Sequence, residues 1–453
     1  MAETFHLVEY LTVQRTKGVI IWLLNIGAEK YWNRLQAGIV DRNEDRIVNR
    51  VEEMNLLLCR EQDILILREQ PDPAYLEQLR QWGFSIPRLV VPEHSDALTP
   101  IAELVLRDEK LMQTLELAAA EQEDVYFVPY GVTYLEEQIA ERCGLCLMGA
   151  PSELQAKVND KVFNREIAET LGLATCLGFV CSDIEEIREA YHQLTGSTHN
   201  FKKVIIKEPH GASGKGLYII DNTDKLSSLL TRLSRSARQN SNARWLVEGW
   251  YEKKADLNYQ IYISPHGSVE MFSLKQQVLR DTVYIGSKIP VDLSPEIIEK
   301  YRGYAEQIGS YLYQMGYTGV AGIDSIITMD DTLIPIIEIN GRFTLSTYIS
   351  FLEPMLREVK LFSRYLKWIS DKPCDFTEVC SLLRQEGLLY DPATGEGILV
   401  YTSGTLPLQQ DEGGSAYTGR LFTLLASKGW ANIEALNSRL EHFIDRLSNR
   451  ITV

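Results

Sequence analysis

The sequence lacks several things, and each absence narrows its function. No apolar run approaches the roughly 20 residues that span a bilayer. The most apolar amino-terminal stretch, Val19–Ile26, follows charged residues and has no small-residue cleavage site after it. Its β-branched content suits a buried parallel strand better than a signal peptide. We therefore expect a soluble, cytoplasmic chain with no membrane partner. Histidine is scarce, at 7 residues, and forms neither H-x-x-x-H nor H-E-x-x-H, which argues against a histidine-bound metal. The 7 cysteines are odd in number and show no disulfide-framework spacing. Cys143 and Cys146 form a C-x-x-C, but Cys176 and Cys181 are too widely spaced to complete a zinc site. They read as small apolar residues at a helix end and the following strand. Positive charge is also in deficit: 46 Lys and Arg face 62 Asp and Glu, a net −16. General affinity for nucleic acid or anionic lipid is thereby disfavoured, though a local basic pocket for a nucleotide is not.

What is present is an ordinary globular composition, 45% hydrophobic and 24% charged over 453 residues. That length suits about two to four domains. Strand-like segments "GVIIWLLNIG", "DILILRE", "FSIPRLVVPEH" and "VYFVPYG" alternate with helical stretches such as "VEEMNLLLCREQ" and "PIAELVLRDEKLMQTLELAAAEQ". This alternation predicts a small parallel α/β domain over the first third. No G-x-G-x-x-G follows its first strand, so dinucleotide binding there is not expected. From Ala150, "APSELQAKVNDKVFNREIAETLGL" reads as helix, ending at Gly172. Strand-rich sequence follows, with turn signals at Pro265–Gly267 and Asp330–Asp331, as in antiparallel sheets. The tail from Asp375 reads as a small α/β appendage.

Two stretches carry chemistry. In "VIIKEPHGASGKGLYII" (Val204–Ile220), a phosphate-binding P-loop fails twice: Pro209 stands where its first glycine belongs and Gly216 where its hydroxyl belongs. The β-branched run after the glycines makes the segment a strand–glycine loop–strand hairpin. Such a loop can still close its backbone N–H groups over phosphate, with the Lys207 ammonium beside them. In "GIDSIITMDDTLIPIIEINGR", Glu338 and Asn340 are two apart on a strand and face the same way. Asp324 lies on the strand before, across the turn. Two carboxylates and an amide oxygen form a hard donor set suited to Mg²⁺ on nucleotide phosphates. The structural alternative is that they pair with Arg342 in the core.

With these motifs the chain resembles the ATP-grasp ligases over about Gly149–Phe351. The matching pieces are "NDK" with Lys161, "VIIKEPHGASGKG" with Lys207, "LVEGWYEKKADLNYQIYI", and "GIDSIIT…IIEINGR". The resemblance implies α/β and α+β architecture: a Rossmann-like pre-ATP-grasp domain (1–148), a two-lobed ATP-grasp core (149–372) and a carboxyl-terminal α/β appendage (373–453). It implies ATP and Mg²⁺ as cofactors, with Mn²⁺ as the alternative metal. Asp324, Glu338 and Asn340 then take the metal, and Lys161 and Lys207 the α- and β-phosphates. Gly211, Ser213, Gly214 and Gly216 form the flap that excludes water, with His210 and Lys215 beside them. Glu248, Gly249 and Trp250 correspond to the adenine hinge, and Asp256 to the ribose-binding acid, where a glutamate is commoner. Gly249 stands where the family often has a second acid. Arg342 is implied to hold a carboxylate or the transferring phosphoryl group, and Arg280 is a second candidate for the substrate carboxylate.

The layout, with "FVPYGVTYLEEQIAERCGLCLMGAP" before the core and "EGILVYTSGTL…GRLFTLLAS" after it, is similar to amino-acid ligases of antibiotic biosynthesis. It resembles pheganomycin-type peptide ligases and butirosin-type carrier-protein ligases. The implied reaction activates an amino acid, L-glutamate first, as acyl phosphate and passes it to the phosphopantetheine thiol of an acyl carrier protein. An amine acceptor, giving a peptide bond, is the alternative. A nucleotide-binding scaffold without catalysis ranks third, because its mark would be a lost metal ligand. The basic segments "HNFKK" and "RLSRSARQ" are candidates for meeting an acidic carrier.

Overall fold

Short strands that are apolar on both faces need cover on both sides, and the first third of the chain supplies it. The computed structural model describes residues 7–8, 18–32, 41–121, 124–211, 216–239, 243–280, 283–352, 359–411 and 413–448. Strands β1 (Val19–Leu23), β2 (Ile64–Ile66), β3 (Arg88–Val90), β4 (Val125–Pro129) and β5 (Cys146–Leu147) form a parallel sheet in the order β3-β2-β1-β4-β5. Ile21, Leu23 and Phe127 point into a core shared with helices Ile101–Arg107, Glu109–Glu121 and Tyr134–Cys143. Ile20, Trp22 and Val128 point the opposite way, into a second and larger core. Cys143 ends its helix and Cys146 lies in β5, both as free thiols. The helical stretch before β2 is a 3-10 helix, Arg50–Leu57. Its Glu52, Glu53 and Asn55 are buried with their apolar neighbours, so no polar stripe marks a solvent face.

The helical stretch after Ala150 is two helices, Ser152–Val158 and Lys161–Thr170, separated at Asn159–Asp160. Asp160 breaks the run because its carboxylate caps the second helix, accepting from the Val162 N–H at 2.7 Å. Strands β6 (Gly178–Cys181), β7 (Val204–Lys207), β8 (Leu217–Ile220) and β9 (Trp245–Gly249) make an antiparallel sheet in the order β6-β9-β7-β8. Within it β7 and β8 pair from Val204↔Ile220 to Lys207↔Leu217, the hairpin read from the sequence. Of the flap, Gly211 and Gly216 are described. Ser213, Gly214 and Lys215 lie outside the described residues.

Long strands dominate the rest: β10 (Lys253–Ile263), β11 (Val269–Arg280), β12 (Val283–Ile289), β13 (Gly319–Thr328), β14 (Leu333–Asn340), β15 (Lys360–Ser370), β16 (Gly397–Val400) and β17 (Tyr417–Ser427). They form one antiparallel sheet in the order β14-β13-β10-β11-β12-β15-β17-β16. Helix Pro295–Gln314 packs across β10 and β11, sealing Leu257, Tyr259 and Ile261. The β10–β11 turn holds Gly267 at φ +86°, and an added Cβ would meet the Tyr313 ring at 2.6 Å. The carboxyl-terminal strands β16 and β17 continue the large sheet through β15. Their residues Ile398, Leu421 and Leu425 share the large core with Trp22 and Leu65 of the first sheet. Among the described residues no helix is long and apolar enough to cross a membrane.

Candidate functional site

Three elements bring the candidate residues together. The first turn of helix Lys161–Thr170 places Lys161 and Arg165 on one side, four residues apart. Lys161 is stitched to the loop after β7: its N–H donates to Pro209 O at 2.8 Å and its Nζ to Gly211 O at 2.9 Å. The same ammonium lies 2.8 Å from Glu338 Oε1 on β14. Lys207, at the end of β7, is buried and lies 2.6 Å from Glu248 Oε2 on β9. Burial pulls its ammonium down, but Glu248 more than offsets this and the pKa is raised. Arg165 Nη1 reaches the other oxygen of Glu248 at 3.2 Å. The small sheet and the large sheet are thus joined through charged side chains facing one space.

On the large sheet, Asp324 and Glu338 are cross-strand partners, and Asn340 pairs with Gly322 one step further. Their side chains lie on one face. Asn340 Nδ2 is 3.4 Å from Asp324 Oδ2, and a half-turn of the amide would present its oxygen to the same point. Asp324 Oδ1 accepts from Asn258 Nδ2 at 2.8 Å and Gln277 Nε2 at 2.9 Å. Burial and the neighbouring Glu338 push the Asp324 carboxyl up to about 7, against the two amide donors. Among the described residues no three His, Cys, Asp or Glu side chains are grouped to hold a metal. This donor set is two carboxylates and a carboxamide. It fits a hard divalent cation, because such an ion would remove the repulsion that now burdens Asp324.

The remaining candidates are placed as follows. Arg342 is buried, with Nη2 2.6 Å from Glu29 Oε1 and Nη1 2.9 Å from both the Tyr130 hydroxyl and Phe343 O. Burial opposes its charge, yet Glu29 beside it raises its pKa further. Its guanidinium is therefore engaged by the first sheet's loops rather than open. Arg280, at the end of β11, forms an exposed ion pair with Glu441 at 3.0 Å, apart from the carboxylate pair. The N–H groups of Gly249 and Trp250 already donate to Leu177 O and Lys203 O, each at 2.9 Å. Gly249 is required by packing, since a Cβ would strike the Phe201 ring at 2.5 Å. Lys253 Nζ lies over the Trp250 ring and 2.6 Å from Asp256 Oδ1. Sequence reading missed Arg165, Asn258 and Gln277. The polar alternation Asp256, Asn258, Gln260 in "DLNYQIYI" was the signal for one of them, and a four-residue step from Lys161 the signal for another.

Known proteins share this organisation. Three family models match in order: the Pre ATP-grasp domain over residues 51–145, the ATP-grasp domain over 166–344 and the PGM1 C-terminal domain over 378–440. The chain is 29% identical over 365 residues to the [Butirosin acyl-carrier protein]–L-glutamate ligase of Niallia circulans, covering 79% of this chain and 81% of that protein. It is 26% identical over 346 residues to the L-propargylglycine–L-glutamate ligase of Streptantibioticus cattleyicolor, covering 69% and 70%. Among solved structures, an ADP complex of N5-carboxyaminoimidazole ribonucleotide synthetase superposes with a TM-score of 0.55 at 14% identity, over 95% of this chain and 98% of that one. The biotin carboxylase domain of Hydrogenobacter thermophilus 2-oxoglutarate carboxylase, with MgADP, gives 0.54 at 15%, over 94% and 89%. These two likenesses concern the fold alone. The ordered domain models and the ligase relatives give this chain an ATP-grasp domain within the domain organisation of the ATP-grasp carboxylate ligases it resembles.

Proposed function

We propose that the chain binds MgATP between its two antiparallel sheets, phosphorylates the carboxylate of an amino acid, L-glutamate first, and passes the acyl group to the phosphopantetheine thiol of an acyl carrier protein. One observation carries the reading: Asp324, Glu338 and Asn340 converge on one face opposite Lys161 and Lys207. Mg²⁺ bound with ATP at these three side chains would neutralise charge on the transferring phosphoryl group. Lys161 and Lys207 are held in place by Glu338 and Glu248, so their ammoniums are positioned before any phosphate arrives. Lys161 also fixes the start of the glycine loop through Gly211 O. Phosphate would take over that ammonium, and the glycine loop read from the sequence would keep water from the acyl phosphate. Asp256 and the Glu248–Trp250 strand end form the nucleoside side of this space.

The thiol acceptor is favoured by the more similar relative's carrier-protein name, and an amine acceptor by the other ligase's name. Activation is the same in both. The deciding experiment incubates the protein with MgATP, a panel of amino acids and hydroxylamine. Hydroxamate should form with an acidic amino acid, and intact mass of added carrier protein then separates thioester from amide. No hydroxamate with any amino acid would overturn the reading.

A further inference from the structure

Beside the proposed metal residues lies a cation that the reaction so far leaves unused. On the large sheet Glu338 pairs with Asp324, Asp324 with Asn258, and Asn258 with Lys275, a single row across β14, β13, β10 and β11. Lys275 therefore stands on the face of Asp324, two strand spacings away, roughly 10 Å at the backbone. Its side chain is 0% exposed. Among the described residues its ammonium meets Ser350 Oγ at 2.7 Å, a hydroxyl rather than a carboxylate. Uncharged polar groups lie beside Asn258 on this face, beginning with Gln260, whose Nε2 donates to Asn258 Oδ1 at 3.0 Å. Gln260 Nε2 donates to Ser346 Oγ at 2.7 Å and Thr344 Oγ1 at 2.8 Å, and Thr347 Oγ1 donates to Gln260 Oε1 at 2.8 Å. Ser350 in turn donates to Ser346 O at 3.0 Å.

We propose that Lys275 receives the second carboxylate of a dicarboxylic amino acid, with Ser350 and Ser346 as neighbouring donors, and so selects acidic substrates. This deepens, and rests on, the reading that the site activates an amino-acid carboxylate. A buried ammonium with only a hydroxyl beside it is a stability cost, which is retained where a ligand later supplies the missing charge. Burial also drives its pKa well below the ordinary lysine value, a penalty that an arriving carboxylate reverses. The reacting carboxylate must sit at the metal residues, so a group two strands further along suits the other end of the substrate. Half-buried Ser350 is the group such a carboxylate would replace on the ammonium.

The test compares wild type, Lys275→Met and Lys275→Arg in hydroxamate formation with L-glutamate and L-glutamine. Lys275→Met should raise the KM for glutamate about a hundredfold with a smaller change in kcat, abolish the preference for glutamate over glutamine, and leave MgATP binding intact. It should also melt no lower than wild type, whereas a lysine with a purely structural role would leave a destabilised variant. Lys275→Arg should recover part of the glutamate affinity. An unchanged KM for glutamate, or equal losses with glutamate and glutamine, would overturn the assignment. Calorimetric titration with glutarate decides it separately: wild type should bind and Lys275→Met should not. Should wild type activate no amino acid, the proposed function fails while glutarate binding still rules on Lys275; equal glutarate binding by both, or by neither, removes it.

Discussion

Asp324, one of the proposed metal residues, carries a cost in the protein as it stands. Its carboxyl moves from 3.8 to about 7, which at 1.36 kcal/mol per unit places about 4 kcal/mol on its ionised form. Asn258 and Gln277 recover part of the burial cost by hydrogen bonding, but Glu338 adds to it. Asp324→Asn keeps an oxygen for those amides and removes the charge. Near pH 8 the variant should be more stable than wild type by about 1 kcal/mol or more, and should lose MgATP-dependent activity at least about a hundredfold. Thermal melts with and without MgATP check this, since the nucleotide should raise the wild-type midpoint and leave the variant's unchanged. A variant that melts lower than wild type would contradict it. This part of the site was legible in sequence because strand parity fixes Glu338 and Asn340 to one face, and a short turn brings Asp324 opposite. Asn258, Gln277 and Lys275 were not, because alternating polar residues on a strand read equally well as a wet surface.

Among elements, the strands were easier to read than the pieces between them. Apolar β-branched runs such as "VIIWL" and "VYFVP" admit little besides a buried parallel strand, and both are. The helical character of Arg50–Leu57 was legible but its 3-10 geometry was not, since its buried acids obey no periodic pattern. Those acids give the fold a pH dependence. Burial drives Glu52 up to about 7, and does the same to Glu136, which accepts the Thr133 N–H at 2.8 Å in a capping box. Both start from 4.5, so between that value and about 7 the folded chain keeps protons that the unfolded chain has released. Their contribution is complete below 4.5 and is lost as pH rises to about 7, by about 3 kcal/mol for each group. Urea midpoints should therefore fall between about pH 5 and about pH 7. Glu136→Gln, which retains the cap, should flatten that slope; an unchanged slope would contradict the assignment.

At the scale of the whole molecule, the three segments of the chain are less separable than their order suggests. Arg342, two residues after the metal candidate Asn340, is held by Glu29 and Tyr130 from the amino-terminal sheet's loops. Tyr75 donates to Tyr401 O at 2.7 Å, tying the first third to the last. The large core then runs from Trp22 through Phe362 to Leu425. None of this is local in sequence: joining β17 to β15 spans the distance from Lys360 to Ser427, and no periodicity encodes such a partner. The consequence for function is that the space beside Asp324 and Asn340 depends on the amino-terminal segment, which anchors Arg342. The central claim is that this space converts a carboxylate into an acyl phosphate. Its most direct test supplies L-glutamate labelled with ¹⁸O in its carboxylates, together with MgATP and an acceptor, and weighs the released phosphate. Acyl phosphate chemistry should carry one labelled oxygen into inorganic phosphate with ADP as co-product; unlabelled phosphate, or label appearing in AMP, would contradict it.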